Sequence, residues 1–481
     1  MGYLNKYVED GTFLSLLRAS LPVKSPIRYV KGTLTKLSAG EKRVEMRWLK
    51  FVSIFLLLFI PVTIYASVKE YKLNNGLKVL IIEKHKAPVA TFQVWYRVGS
   101  RDEPAGKSGM SHLLEHMMFK GTSKYGSQIF SRIVQKNGGE DNAYTIEDYT
   151  IYLEIFSSDR IMLSIDLEAD RMQNLTLGQK ETLSERSVVM EERRLENEDD
   201  SQNSLFEEVV ATSFKVHPYR RPVIGWMSDI NSIERDDLLN YYKAYYSPDN
   251  AVVIIAGDVR TEEMMEKIKN SFGTIPSGLP KKKISFLEPE QRGEKRVFLK
   301  KEAELPYILI AYHTPSFPYE DSNALDVLSL ILSGGKSSRL YKSLVYEKKI
   351  ALDVSADYEG FNKDPYLFFF SATASPGKDI KDVEDAIYGE IEKIKKNPPS
   401  EREVQKAKNQ IESSFIMEQD SIDTEAMKYG TFEMLGDWRL INRYLESIRK
   451  VTPEDVVRVA KKYLNEDNRT VGILVPTKSE K

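Results

Sequence analysis

His112, Glu115 and His116 stand within Ser108–Thr122, S-G-M-S-H-L-L-E-H-M-M-F-K-G-T, at the spacing H-x-x-E-H. Positions four apart on an α-helix lie on one face, one turn above each other. Both imidazoles can therefore address a single ion, with a carboxylate beside them. Two imidazoles and a carboxylate suit Zn²⁺ with one position left open for water. A further carboxylate would then work on that water instead of the metal. Short patterns of this kind also arise by chance on helices, and two features argue against chance here. The chain has five histidines (His85, His112, His116, His217, His313), and two of them fall in this motif. The rest of the helix is apolar, with Met110, Leu113, Leu114, Met117, Met118 and Phe119. Polar side chains in such surroundings are costly unless something satisfies them.

The inverted order of the motif marks the inverzincins, and its context resembles the family of pitrilysin, insulysin and mitochondrial processing peptidase. That resemblance implies a third zinc ligand, a glutamate further along the chain in a segment like E-R-x-V-V-x-x-E. Here Glu185-Arg186-Ser187-Val188-Val189-Met190-Glu191-Glu192 matches it, with Glu192 lying 76 residues beyond His116. Glu185 and Glu192 are two helical turns apart and share a face. The resemblance makes Glu192 the ligand and Glu185 the carboxylate that orients the site. The competing reading of Glu191 to Glu198 is an acidic, solvated helix surface. The G-G-x-x-N-A-x-T element, Gly138 to Thr145, resembles the family's edge strand beside the zinc. Its backbone at Asn142 and Ala143 would pair with an extended substrate by strand addition. His217, in H-P-Y followed by P-V-I-G, is expected to be a loop histidine with a structural hydrogen bond, not a ligand.

At 481 residues, with 41% hydrophobic and 29% charged residues, the chain is a globular protein of more than one domain. Cysteine is absent, which excludes disulfides and thiolate metal sites. A formal net charge of −2 points to no nucleic-acid partner. Arg47 and Lys50 precede Phe51–Ala66, a 16-residue apolar run interrupted by Pro61. The run is short for a membrane span and fits a secretory signal peptide. Ala66 suits the position before a cut, but Ile64 is bulky two residues earlier, so an uncleaved N-terminal membrane anchor stays open. The expected location is exported, periplasmic or membrane-anchored facing the periplasm. Met46 reads as a natural start, making Met1–Glu45 a mis-called extension or a cytoplasmic tail.

The elements that must hold the site follow from Val68. Tyr71–Ile82 reads as a hairpin turning at Asn75-Gly76, and Ala90–Val98 as a strand. A helix is expected at Gly109–Phe119, another at Ser127–Lys136, and a strand over Asn142–Phe156. Asp159–Leu175 and Gln179–Arg194 read as helices, the second carrying Glu185 and Glu192. This order predicts an α+β fold: two homologous domains, each a largely antiparallel sheet with helices packed on one side. The zinc domain is expected at 67–275, a Pro/Gly/Lys-rich linker at 276–293, the second domain at 294–476 and a tail at 477–481. The duplication rests on Ile233–Ile255 against Val451–Ile473, a gapless offset of 218 that matches Asp237 to Asp455, Tyr245 to Tyr463 and Asp249-Asn250 to Asp467-Asn468. Lys295–His313 reads as two more strands and Ser322–Leu332 as a helix. At the place of the metal helix the second half carries Leu325, Leu328 and Leu330 and no histidine, so it binds no zinc there.

Active single-chain relatives supply, from the second half, an arginine and a tyrosine seven residues apart that bind the substrate carbonyl and stabilise the oxyanion. Aligned without gaps, those positions hold Val345 and Leu352, which cannot perform that electrostatic role. The resemblance then implies the zinc subunit of a two-chain enzyme whose paralogous partner supplies the Arg/Tyr pair. A shifted alignment that recruits Tyr346, Tyr358 or Arg339 would give a homodimer instead. The implied reaction is zinc-dependent hydrolysis of peptides and unfolded segments in an enclosed chamber, with His112, His116 and Glu192 holding Zn²⁺ and Glu115 as base. The rival is a non-catalytic scaffold subunit, whose signature would be a broken zinc motif.

Overall fold

The structure, a computed structural model, describes residues 68–278, 285–417 and 421–477. The N-terminal extension, the apolar run at 51–66, the middle of the 276–293 linker and residues 478–481 lie outside the described residues. Nothing in the structure therefore bears on the expected signal peptide or anchor.

In the first half the strands are β1 (Val68–Lys72), β2 (Lys78–Glu83), β3 (Val89–Tyr96), β4 (Glu140–Thr145), β5 (Thr150–Ser157) and β6 (Ala251–Gly257). They form one sheet in the order β1-β2-β6-β3-β5-β4, antiparallel except for the β2–β6 pairing. The central strand β6, A-V-V-I-I-A-G, is buried throughout, which is why it alternates so little. The β1–β2 hairpin turns where expected, and Gly76 supplies the positive φ of 93° that the turn needs. The helices of this half are α1 (Met110–Met117), α2 (Ile129–Lys136), α3 (Met162–Asn174), α4 (Gln179–Arg193), α5 (Ser201–Ser213), α6 (Met227–Ser232), α7 (Arg235–Tyr245) and α8 (Thr261–Ser271).

The second half builds β7 (Lys295–Glu302), β8 (Tyr307–Thr314), β9 (Ala351–Tyr358), β10 (Tyr366–Ala374) and β11 (Arg469–Thr477), ordered β7-β11-β8-β10-β9. Only β7–β11 runs parallel. Its helices are α9 (Glu320–Ser333), α10 (Ile380–Lys396), α11 (Glu401–Met417), α12 (Ile422–Met434), α13 (Leu440–Lys450) and α14 (Pro453–Tyr463). The repeat is exact in its particulars. α7 and α14 start and end 218 residues apart, and each begins with a reciprocal cap, Glu234 with Asp237 and Thr452 with Asp455. Asn250 donates to the Tyr245 carbonyl at 2.9 Å and Asn468 to the Tyr463 carbonyl at 2.7 Å, so the same side chain closes the same turn.

The fold is α+β with two mostly antiparallel sheets, as the order of elements predicts, and it adds two features. Asn142–Phe156 is not one strand but the hairpin β4–β5, broken at Ile146–Tyr149, where Glu147 and Asp148 interrupt the apolar pattern. Each sheet also carries its main helical layer on one face and receives one helix from the other half on its second face. α5 lays Leu205, Val209 and Val210 on Leu309, Ala311, Leu367 and Phe369 of the second sheet. α12 lays Ala426 and Met434 on Leu80, Trp95, Val252 and Ile254 of the first. A sheet whose both faces are apolar has to be covered twice, and the halves do this for each other.

Candidate metal centre

Two helices and an edge strand meet at the site. α1 enters it from a built N-terminus. Gly109 precedes the helix with φ 91°, and a Cβ there would stand 2.5 Å from the Ile224 carbonyl oxygen, so only glycine fits. The P-V-I-G segment at 222–225 thus packs directly on the start of the motif helix. The buried Glu103 carboxylate accepts from the backbone N–H groups of Gly109 at 2.9 Å and Ser111 at 2.7 Å. It satisfies donors that a helix start leaves open. Burial pushes its pKa up to about 8 against the pull of these hydrogen bonds.

α1 turns His112 and His116 to one side, their ring centroids 4.7 Å apart. α4 brings Glu192 to the same place: Oε1 lies 3.8 Å from His112 Nε2, and Oε2 lies 3.4 Å from His116 Nε2. The donor atoms of His112, His116 and Glu192 all fall within 4.8 Å of one another. These separations are too long for hydrogen bonds. They are close to the separation of about 3.3 Å between donors that each stand about 2.0 Å from a tetrahedral ion. Three polar groups that converge without bonding each other, two of them imidazoles, are the donor set that zinc takes, and the residues fit it. Glu191, one position earlier, is 58% exposed and pairs with Arg194 at 3.0 Å, so it points away. The turn carrying Glu192 is fixed by Arg193, which makes two hydrogen bonds to Glu207 of α5 at 2.8 and 2.9 Å.

The surroundings divide the groups electrostatically. Burial, with His116 beside it, lowers the His112 pKa to about 3, which keeps that ring neutral and able to donate a lone pair. Burial alone would lower His116 too, but the carboxylates of Glu185, Glu115 and Glu192 outweigh it and raise its value. Glu185 Oε1 lies 3.8 Å from His116 Nδ1, on the side away from Glu192, and its other oxygen is paired with Lys120. Burial opposes ionisation of Glu185, yet His116 and Lys120 hold its pKa below the ordinary carboxylate value. Burial raises Glu192. Burial also pushes Glu115 up to about 7, against a 2.5 Å hydrogen bond from the Thr145 hydroxyl to Oε2.

Among the described residues β4 is the edge strand of its sheet and pairs with β5 alone. Asn142 Oδ1 accepts from the Ala143 N–H at 2.9 Å, and Asn142 Nδ2 donates to the Tyr144 hydroxyl at 2.8 Å. His217 is buried away from the donor set, 3.0 Å from Asp364 Oδ2, and caps a short turn by accepting from the Tyr219 N–H. Sequence reasoning missed Glu103, Lys120 and Thr145. Lys120 lies four residues beyond His116, just past the end of α1, and Thr145 closes the edge-strand motif, so both had a signal. Glu103 had none.

In the second half the place of the expected arginine, Val345, falls in the π-helical turn Tyr341–Glu347, and Leu352 is 52% exposed on β9. Arg339 is held by Glu403 through bonds of 2.8 and 3.1 Å. Tyr358 is buried, with its hydroxyl on the Pro315 carbonyl. Tyr346 stands exposed.

The profile of the insulinase family (peptidase family M16) matches residues 78–226, and that of the peptidase M16 inactive domain matches residues 232–411. The chain is 32% identical to a protein of Helicobacter pylori named zinc protease PqqE, over 84% of this chain and 92% of that protein. It is 27% identical to an Arabidopsis thaliana protein named probable mitochondrial-processing peptidase subunit beta, over 95% of this chain and 87% of that one. The crystal structure of a protease from Helicobacter pylori superposes with a TM-score of 0.81 at 32% identity, over 85% of this chain and all of that one. The donor set lies within the residues matched by the insulinase profile, and the inactive-domain profile runs from the last elements of the first half into the second. With its motif helix, its duplicated fold and a relative at this identity along most of its length, the chain belongs to the insulinase family of peptidases, M16.

Proposed function

We propose that the chain is a zinc-dependent endopeptidase acting on peptides and unfolded segments, and that it is the zinc subunit of a two-chain enzyme. The observation that carries the reading is the convergence of His112, His116 and Glu192 beside Glu115, next to the free edge of β4. His112, His116 and Glu192 would hold the ion. Zinc, when bound, supplies a Lewis acid that polarises a carbonyl and brings the pKa of water to about 7. Glu115 takes the proton of the attacking water and delivers it to the leaving amine nitrogen. Glu185, itself held by Lys120, would orient the His116 ring for that role. The β4 edge at Asn142 and Ala143 aligns the substrate backbone by strand pairing. A scaffold role would suit a broken donor set, and this one is whole.

Val345 and Leu352 support the two-chain assignment, because neither can stabilise an oxyanion. Of the groups that a shifted alignment could recruit for a homodimer, Arg339 and Tyr358 are already engaged within the second half. We assign the chain to an exported or membrane-anchored state facing the periplasm, on the apolar run at 51–66. Zinc content and peptide cleavage of Glu115→Gln test the chemistry: metal retained with cleavage lost is expected, and unchanged cleavage rules out Glu115 as base. Cleavage by the purified chain, alone and with any chain that co-purifies, tests the partnership. Full activity alone contradicts it.

A further inference from the structure

Glu115 presents its two carboxylate oxygens to different surroundings. Oε2 accepts a 2.5 Å hydrogen bond from the Thr145 hydroxyl, while Oε1 has no hydrogen-bond partner among the described residues. Thr145 is the last residue of β4 and faces Thr150 across the hairpin. The tip of that hairpin is fixed from outside the strand pair. Asp148 accepts from Arg101 at 2.9 Å, from the Tyr219 hydroxyl at 2.8 Å and, across the two halves, from the Lys363 N–H at 2.9 Å. Arg101 in turn reaches Asp364 of the second half at 2.5 Å. The backbone bearing Thr145 is therefore held between the edge strand and a network that joins the halves.

From this geometry we infer that Thr145 is the positioning residue of the proposed base: its hydroxyl fixes one oxygen of Glu115 so that the other faces the reacting water, and it links that orientation to the strand that receives substrate. The inference rests on the peptidase reading. A carboxylate free to rotate spends less time with a lone pair in line, so removing the hydroxyl acts on the proton-transfer step and leaves strand pairing intact. Lys120, Glu185 and the ligands keep their places, so metal binding is untouched.

The test uses the full chain, with any co-purifying partner, and a fixed set of internally quenched peptides. Thr145→Val keeps the shape and removes the hydroxyl; Thr145→Ser keeps the hydroxyl. The expected result for Thr145→Val is zinc stoichiometry and KM as in the unaltered protein, with kcat lower by roughly 10- to 100-fold, the range for losing a hydrogen bond to a charged group. Thr145→Ser should recover most of the rate. Peptide affinity in the non-cleaving Glu115→Gln background should be the same with and without Thr145→Val. A Thr145→Val protein with unaltered kcat, or one changed only in KM, overturns the inference. So does a Thr145→Ser protein as slow as Thr145→Val, since packing and not the hydroxyl would then be at work. Failure of the peptidase reading shows separately, as no cleavage of these peptides by the unaltered protein with its co-purifying partner, and failure of the base assignment as full cleavage by Glu115→Gln.

Discussion

At the scale of single residues, the site depends on which of two adjacent glutamates turns inward. Glu192 faces the imidazole pair, and Glu191 is exposed beside Arg194. Glu192→Gln is therefore expected to lose bound zinc, while Glu191→Gln keeps it, as metal analysis after dialysis would show. Retention by both would move the third ligand elsewhere. Lys120 and Glu185 act one step further out. Replacing Lys120 by Met leaves Glu185 without its cation and the His116 ring without a fixed carboxylate. Zinc affinity should fall roughly 10- to 100-fold, the usual effect of removing a partner that orients a metal ligand. Competition with a chromogenic chelator measures this, and an unchanged affinity would show that Glu185 is held by other means.

At the scale of elements, the motif helix is only as well placed as its N-terminus. Glu103 satisfies two backbone donors of its first turn from a buried position. Glu103→Ala leaves both donors buried and unpaired, at a cost of about 1–3 kcal/mol per lost partner. The expected outcome is a lower midpoint in denaturant unfolding together with weaker zinc retention, because the helix that fails to seat carries two of the proposed ligands. Loss of stability with normal zinc retention would separate the cap from the site. In the second half Asp321 ties α9 to α14 through Arg458, Lys462 and the Tyr463 hydroxyl. Burial opposes its charge, but these partners lower its pKa to about 2 from the ordinary 3.8. A depressed folded-state value stabilises the fold above the unfolded pKa, and this stabilisation is lost as pH falls through the folded one. Asp321→Asn should therefore melt roughly 1–2 °C lower at pH 7 in a chain of this size. The gap should close between about pH 4 and pH 2, and a constant difference across that window would refute the charge-based account.

At the scale of the whole molecule, the exchanged helices make the two halves one unit. α12 approaches the first sheet so closely that a Cβ on Gly430 would stand 2.1 Å from the Trp95 ring. At the reciprocal contact a Cβ on Gly472 of β11 would stand 2.3 Å from Val209 of α5. Charged ties accompany the packing: the buried Glu433 of α12 pairs with Lys78 and Arg97 at 2.7 Å each. Gly430→Val should cost about 1–3 kcal/mol, the usual penalty of overpacking, and unfolding should remain a single transition seen alike by tryptophan fluorescence and circular dichroism. Two separate transitions would mean that each half is stable without the helix it borrows.

The sequence by itself determined the local and the repeated. The helical period set His112 and His116 on one face, and the 218-residue offset disclosed the duplication, including the Asp237/Asp455 and Asn250/Asn468 matches; Glu192 came from the family resemblance of its segment. These are legible because spacing along a chain fixes geometry within an element. Tertiary structure alone decided what distant segments do to one another. It decided that Thr145 bonds Glu115, that Glu103 seats the motif helix, that Asn142–Phe156 folds back on itself, and that each half covers a face of the other's sheet. No spacing rule reaches these contacts, because each is made by the packing of segments whose separation in the chain says nothing of their separation in space.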